Sequence, residues 1–357
     1  MTKREFGFYQ EITILHRNTI LYQESIMHQE IQRFWALLKT SQKILLINHI
    51  RMDGDAWGSL AALALILKNM GKDILCINDC SVPPSLTSLW YTELINPIAD
   101  VRVFKPDIII SLDASDTLRL GQSYMTWKDI FNSTPLIVLD HHFSNPGFWN
   151  INIINTEATS TCELLYEVCE TLELIPYITS DIATFLYLGL QTDTNMYFNS
   201  DVTPHTLEVG AKLLALWADF RKVIQEMFQK KSFIQLKLWE ILLRNLKQDC
   251  NGALSYSVLT REDIRSLNIP KEEIGWHLKG AINELLINIE GTKIAFLIYP
   301  LDATENKVSM RAQPGQNVAA ICETFRGGGH ILAAGFQSFE EEAIIEQKLL
   351  QIIKTVL

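Results

Sequence analysis

Four stretches of the chain set carboxylates and imidazoles at spacings that suit metal or phosphate chemistry. HIRMDGDAWGS holds His49, Asp53 and Asp55; SLDASD holds Asp113 and Asp116; LIVLDHH ends in Asp140, His141 and His142; QTDT holds Asp193. Each follows an apolar run, and such groups are costly to desolvate unless paired or metal-bound. Singly they have plain explanations: Asp55, Asp116 or Asp193 could cap a helix, and His49 could be a satisfied core histidine. Gathered on one edge, several carboxylates would repel one another, and divalent cations offset that repulsion. Carboxylates with a minority of imidazoles suit Mn²⁺ or Mg²⁺ better than Zn²⁺. This many ligands suggests two ions, about 3.5–4 Å apart, as in centres that hydrolyse phosphate esters.

A second constellation lies near the C-terminus. Gly327, Gly328 and Gly329 run consecutively into His330, after Arg326. Successive glycines let backbone N–H groups approach an anion, and His330 can donate to a phosphate. The alternative is a simple turn before an Ala333–Phe336 strand. Arg311 closes the strand-like KVSMR, available for a phosphate fork or for an exposed salt bridge. The chain has no P-loop, G-x-G-x-x-G, G-x-S-x-G or H-E-x-x-H motif, so nucleophilic serine or cysteine chemistry has no support.

The elements that would position these groups alternate. Ser25–Thr40 has amphipathic helix spacing. Lys43–Asn48, Asp73–Asn78, Val101–Phe104, Asp107–Leu112 and Leu136–Leu139 are strand candidates, while Ser59–Met70, Ser160–Leu172 and Ile178–Leu190 are helix candidates. Ser160-Thr161-Cys162-Glu163 has capping-box spacing. Strands alternating with helices imply an α/β fold with a doubly wound, mostly parallel sheet, whose C-terminal strand ends share one ligand-binding edge. Thr206 to about Lys247 is mostly helical. A smaller α/β region follows, with strands at Ala253–Leu259, Thr292–Ile298 and Lys307–Arg311 and helices at Asn317–Thr324 and Glu340–Lys354. The expected divisions are an extension over 1–24, a catalytic domain over 25–203, a helical connector over 204–250 and a substrate-binding domain over 251–357.

At 357 residues the chain can bury two sizeable cores. Its formal net charge of −10 argues against a grip on long nucleic acid, which calls for a basic stripe. Short anionic ligands remain compatible, because a metal or a local pocket outweighs global charge. Six scattered cysteines without a C-x-x-C pair point to reduced thiols, and no run is long and apolar enough for a membrane span, so a cytoplasmic location is expected.

In their order, HIRMDGDAWGS, SLDASD, LDHH and QTDT resemble the four motifs of the DHH phosphoesterases. RGGGHILAAG resembles the glycine-rich motif of the DHH-associated C-terminal domain. The likeness runs over about residues 26–357, and the short two-domain layout resembles the nanoRNase/pAp-phosphatase branch. That resemblance implies hydrolysis of short oligoribonucleotides and removal of the 3′-phosphate from 3′-phosphoadenosine 5′-phosphate (pAp), with two Mn²⁺ ions as cofactor and Mg²⁺ as the alternative. It implies His49 and Asp53 on one ion, Asp55 and His141 on the other, and Asp113 and Asp193 completing the pair, with Asp113 bridging. His142 would sit beside the scissile phosphate, with Asp140 fixing the histidines. Arg311, Gly327, Gly328, Gly329 and His330 would hold the far end of the substrate. Arg326 stands where many relatives carry a further glycine, and the first 24 or so residues have no counterpart. The alternatives are a cyclic- or linear-dinucleotide phosphodiesterase, an exopolyphosphatase or pyrophosphatase, an inactive nucleotide-binding module, and a RecJ-type exonuclease. The sequence leaves a homodimer open.

Overall fold

The structure, a computed structural model, describes residues 25–357 apart from 81, 88–90, 97–99, 148, 200, 201, 266, 268, 270 and 279. The 1–24 extension lies outside the described residues. The chain divides into two compact units, Met1–Lys230 and Lys231–Leu357.

In the first unit, helix α1 (25–40) leads into β1 (Lys43–Asn48), α2 (Gly54–Asn69) and β2 (Asp73–Ile77). The sheet is completed by β3 (Ile108–Leu112), β4 (Leu136–Asp140) and β5 (Ile151–Ile154), in the order β2-β1-β3-β4-β5. All its pairings are parallel. Strands of such a sheet are buried on both faces, and therefore read as continuous apolar runs rather than alternating ones. In β1, Ile44 and Leu46 join one core cluster while Leu45 and Ile47 join another. The first cluster includes α2, α3 (Thr161–Thr171) and α4 (Ser180–Asp193). The order reverses between β1 and β3, the switch point at which a doubly wound sheet opens a crevice.

Two sequence expectations change here. Val101–Phe104 forms a helical turn: Asp100 accepts a 2.9 Å hydrogen bond from the Arg102 N–H, and Lys105 ends the turn at φ 53°. The apolar alternation misleads because a capped four-residue turn buries only Val101. Strand β5 was not expected at all; its INII pattern is half-buried at the sheet edge.

Helix α5 (Pro204–Ala215) packs on α4 in the first unit. Helix α6 (Phe233–Arg244) belongs to the second, so the stretch expected as a connector is shared between the units. The second sheet comprises β6 (Lys247–Asp249), β7 (Leu254–Val258), β8 (Ile294–Pro300), β9 (Asn306–Ala312), β10 (Gly328–His330) and β11 (Ala333–Ser338). Its order is β10-β11-β9-β8-β7-β6, antiparallel except for β7 with β8. Phe296, Val308, Met310 and Phe336 bury one face under α7 (Val318–Glu323) and α8 (Glu342–Ile353).

Candidate functional site

The C-terminal ends of β1, β3 and β4 deliver the first constellation to the switch-point edge. His49 follows β1 and turns into α2, whose N-cap is Asp53, not Asp55; the Asp53 carboxylate accepts from the Ala56 N–H at 3.1 Å. Asp55 lies in the first turn of α2, fully buried. Its two oxygens accept from the first amides of α3, Thr161 N–H at 2.7 Å and Cys162 N–H at 2.9 Å. A helix N-terminus is suited to such an anion. This approach needs a bare backbone: a Cβ on Gly189 of α4 would collide with Asp55 Oδ1 and Cys162 Sγ.

Asp113 follows β3 with φ 55°, a left-handed conformation costly for a non-glycine residue. That turn aims one carboxylate oxygen each way. Oδ2 lies 3.3 Å from His49 Nε2, and Oδ1 lies 3.7 Å from His141 Nε2 and 3.6 Å from His142 Nδ1. His49 Nε2 is 3.8 Å from Asp53 Oδ1. His141 Nε2 is 3.2 Å from Asp193 Oδ2 and 3.9 Å from Asp55 Oδ2. Asp193 closes α4 at its C-terminal end, so it caps no helix N-terminus. Two ligand-like triads result, His49–Asp53–Asp113 and Asp55–His141–Asp193, each with its donor atoms within 4.8 Å of one another.

His142 is held differently. Its Nδ1 lies 2.7 Å from Asp140 Oδ1, and because a carboxylate only accepts, Nδ1 carries the proton. Asp140, fully buried, also accepts from the His141 N–H at 2.9 Å and from Asn145 Nδ2 at 2.7 Å.

Charge within this cluster is balanced by protons. Burial opposes a charged His49, but its bonds to Asp113 and Asp53 outweigh that and push it up to about 11. His141 is likewise raised against its burial, by Asp193, Asp113 and Asp55. Burial and the neighbouring Asp113 and Asp193 carboxylates push Asp55 well above the carboxylate range. Asp193 rises to about 6, mainly through burial. For Asp140, burial is outweighed by His142, Asn145 and His141, which hold it low. Four carboxylates and two imidazoles, with His49, His141, Asp55 and Asp193 all holding protons more tightly than usual, form a donor set well matched to divalent cations. Oxygen donors predominate, nitrogen is the minority, and Asp113 faces both triads.

Two neighbours went unnoticed in the sequence. Arg119 donates from Nη1 towards His142 Nε2 at 3.4 Å, and its carbonyl accepts from the Ile50 N–H at 2.7 Å, tying the loops after β3 and β1 together. Asp116 does cap this turn, accepting from the Leu118 and Arg119 amides. Thr161 donates to Asp113 Oδ1 at 3.0 Å. Ser160 caps α3 as the spacing predicts, but the Glu163 carboxylate reaches Thr159 N–H rather than Ser160. Only the arginine's type, following Asp113 closely in sequence, could have drawn notice.

In the second unit, Arg311 on β9 and His330 on β10 both pair with Ala333 of β11, so they share a face two strand spacings apart, about 9.6 Å. Arg311 is mostly buried; its Nε donates to Asn283 Oδ1 at 2.7 Å and Nη1 to the Met310 carbonyl at 2.9 Å. The glycines separate. A Cβ on Gly327 would strike Gly335 O and Phe336, and one on Gly329 (φ 146°) would strike Ala333 O and Ala334. A Cβ on Gly328, which is exposed, would meet nothing within 4 Å. Arg326 takes φ 58° before the hairpin.

Comparison with known proteins bears on this arrangement. The model of the DHH family N-terminal domain matches residues 43–190, and the DHHA1 domain matches 271–357, together well over half the chain. The chain belongs to the DHH family. It is a metal-dependent phosphoesterase. This DHH phosphoesterase is 25% identical, over 84% of its length and 89% of the relative's, to the bifunctional oligoribonuclease and PAP phosphatase NrnA of Mycoplasma genitalium. It is 24% identical to the protein of the same name from Bacillus subtilis, over 87% of its own chain and 92% of the other. An exopolyphosphatase-related protein from Bacteroides fragilis has the same fold. Its TM-score is 0.83 at 22% identity, over 92% of this chain and 97% of that one.

Proposed function

We propose that this phosphoesterase hydrolyses short oligoribonucleotides and removes the 3′-phosphate of pAp, using two Mn²⁺ ions or, as the alternative, Mg²⁺. The observation that carries the reading is the pair of triads joined through the two oxygens of Asp113, supported by similarity to proteins named for those activities. His49 and Asp53 would hold one ion, Asp55, His141 and Asp193 the other, with Asp113 shared. Ions bound there supply positive charge that acidifies a water and offsets charge on a phosphate.

The chain's own groups do the rest. Asp140 keeps the Nδ1 proton of His142, so Nε2 is presented beside Arg119 to the scissile phosphate. The Arg119 guanidinium then stabilises charge that develops on the phosphate oxygens, and His142 would join it once Nε2 also carries a proton. Arg311, His330 and the open backbone at Gly328 would bind the far phosphate or nucleotide end. Short substrates need no extended basic track, which fits the net charge of −10. Among the described residues no helix is long and apolar enough to cross a membrane, and all six cysteines are free thiols, which supports a cytoplasmic site of action.

The test is turnover of oligoribonucleotides from about 2 to about 20 nucleotides, beside pAp, polyphosphate and pyrophosphate, all with Mn²⁺. Turnover is expected to peak at the shortest oligomers. A preference for the longest chains, or for polyphosphate or pyrophosphate, overturns the proposal.

A further inference from the structure

The apolar residue next to the DHH triplet is the most exposed large hydrophobic among the described residues: Phe143 is 93% accessible. A phenylalanine in that setting exposes a large apolar surface to water without the packing that normally accounts for it. It does not hang from a loose loop. The Asn145 N–H donates to the His142 carbonyl at 3.1 Å, closing a turn with Phe143 and Ser144 at its corners. The Asn145 side chain donates to Asp140 Oδ2 at 2.7 Å and to the Ala114 carbonyl at 3.4 Å, and its Oδ1 accepts from the Gly147 N–H at 3.0 Å. The same buried carboxylate that orients His142 therefore also pins the turn that presents Phe143.

Arg119 gives the second observation. Its guanidinium contacts His142 Nε2 and, among the described residues, makes no ion pair with a carboxylate, although the neighbouring cluster is rich in them. An arginine so placed is available to a phosphate. Leu118, the residue before it, is 80% exposed. Each of the two loops joined by the Arg119–His142 contact thus pairs a phosphate-binding group with a large apolar neighbour in solvent. A nucleotide has that same bipartite chemistry, a phosphate joined through a sugar to a flat aromatic face.

We propose that Phe143 is a specificity-determining platform on which the nucleobase attached to the reacting phosphate stacks, so that this site takes nucleoside phosphates in preference to bare polyphosphates. The inference rests on the phosphoester reading given above and names the part of the substrate that the first unit recognises. Stacking of one base on one aromatic ring is sequence-tolerant, because every base has a π-face. The platform therefore selects nucleotides as a class, without selecting a sequence.

The experiment uses the full Mn²⁺-loaded chain and three substrates: the dinucleotide pApA and two analogues, each lacking one of its bases. Wild type and the variants Phe143→Ala and Phe143→Trp are compared by kcat/KM. In wild type, removing one particular base is expected to lower kcat/KM by roughly 10- to 100-fold, the worth of one base–aromatic stack. In Phe143→Ala that ratio collapses to within about threefold, and in Phe143→Trp it returns. The inference is overturned if Phe143→Ala keeps the wild-type ratio, or if wild type is indifferent to both bases. Failure of wild type to turn over pApA, with brisk hydrolysis of tripolyphosphate, would instead overturn the underlying reading and this inference with it. Circular dichroism of Phe143→Ala should match wild type, because an exposed side chain supports no core.

Discussion

The two candidate sites use glycine and charge in opposite ways. In the first unit, Gly189 lets a helix close on Asp55, and the result is a buried cluster of acids and imidazoles that needs positive charge. In the second, Gly327 and Gly329 let strands close on each other, leaving Gly328 open beside a face that carries Arg311 and His330. One site gathers oxygen and nitrogen donors of the kind cations favour, while the other sets an arginine and a histidine on one face. Under the proposed function the difference matters, since a carboxylate cluster without ions repels phosphate whereas an arginine attracts it.

The largest expected effect falls on the acidic site. Asp113→Ala or His141→Ala should cut kcat/KM at least about a thousandfold, because a metal centre contributes several kcal/mol and about 1.4 kcal/mol is tenfold. Wild-type turnover by either variant would break the two-triad reading. Arg311→Ala should act differently, raising KM for pAp or pApA about 10- to 100-fold with kcat nearly kept, as expected for a charged hydrogen bond used in ground and transition states alike. A fall in kcat with KM unchanged would place Arg311 in the chemistry instead.

Stability against pH sharpens the comparison next. In the ion-free protein His49, His141, Asp55 and Asp193 hold protons more tightly when folded than when unfolded. The folded state then binds more protons, so stability falls as pH rises. For Asp193 the loss runs from the ordinary carboxylate range to about 6, and for His49 from the ordinary imidazole range up to about 11. Calorimetry of chelator-treated protein should show Tm falling between about pH 6 and about pH 9, with Mn²⁺ restoring it most at the higher pH. A Tm that climbs over that range without ions would contradict this picture of the cluster.

The smallest effects separate the glycines. Gly329→Ala, at φ 146° and against Ala333 O, should destabilise by about 1–3 kcal/mol. Gly328→Ala should leave stability within about 0.5 kcal/mol while weakening binding of pAp. Equal destabilisation by both, measured by denaturant unfolding, would mean the hairpin is only a turn.

Much of the first site was legible because its residues follow apolar runs. A strand buried on both faces has no reason to end in Asp140-His141-His142 unless that end is used, and β1 and β3 end in the same way. The helix and strand readings failed where local pattern and tertiary setting disagree. Val101–Phe104 alternates like a strand yet is a capped turn, and the four residues INII at β5 are too short a run to stand out until β4 lies beside them. Arg119 and Phe143 were invisible for another reason: their significance is a contact across loops and an exposure, neither of which has a periodicity.

The sequence by itself determined the residue types: acids and imidazoles at strand ends, glycines before a histidine, apolar runs long enough for a parallel sheet. Tertiary structure alone decided which acid does what. Asp53 caps α2 while Asp55 is gripped by the α3 amides, because the close packing of α2, α3 and α4 brings that helix N-terminus onto one carboxylate and not the other. Asp113 faces both triads because its backbone is held left-handed, a cost that only the surrounding fold can sustain.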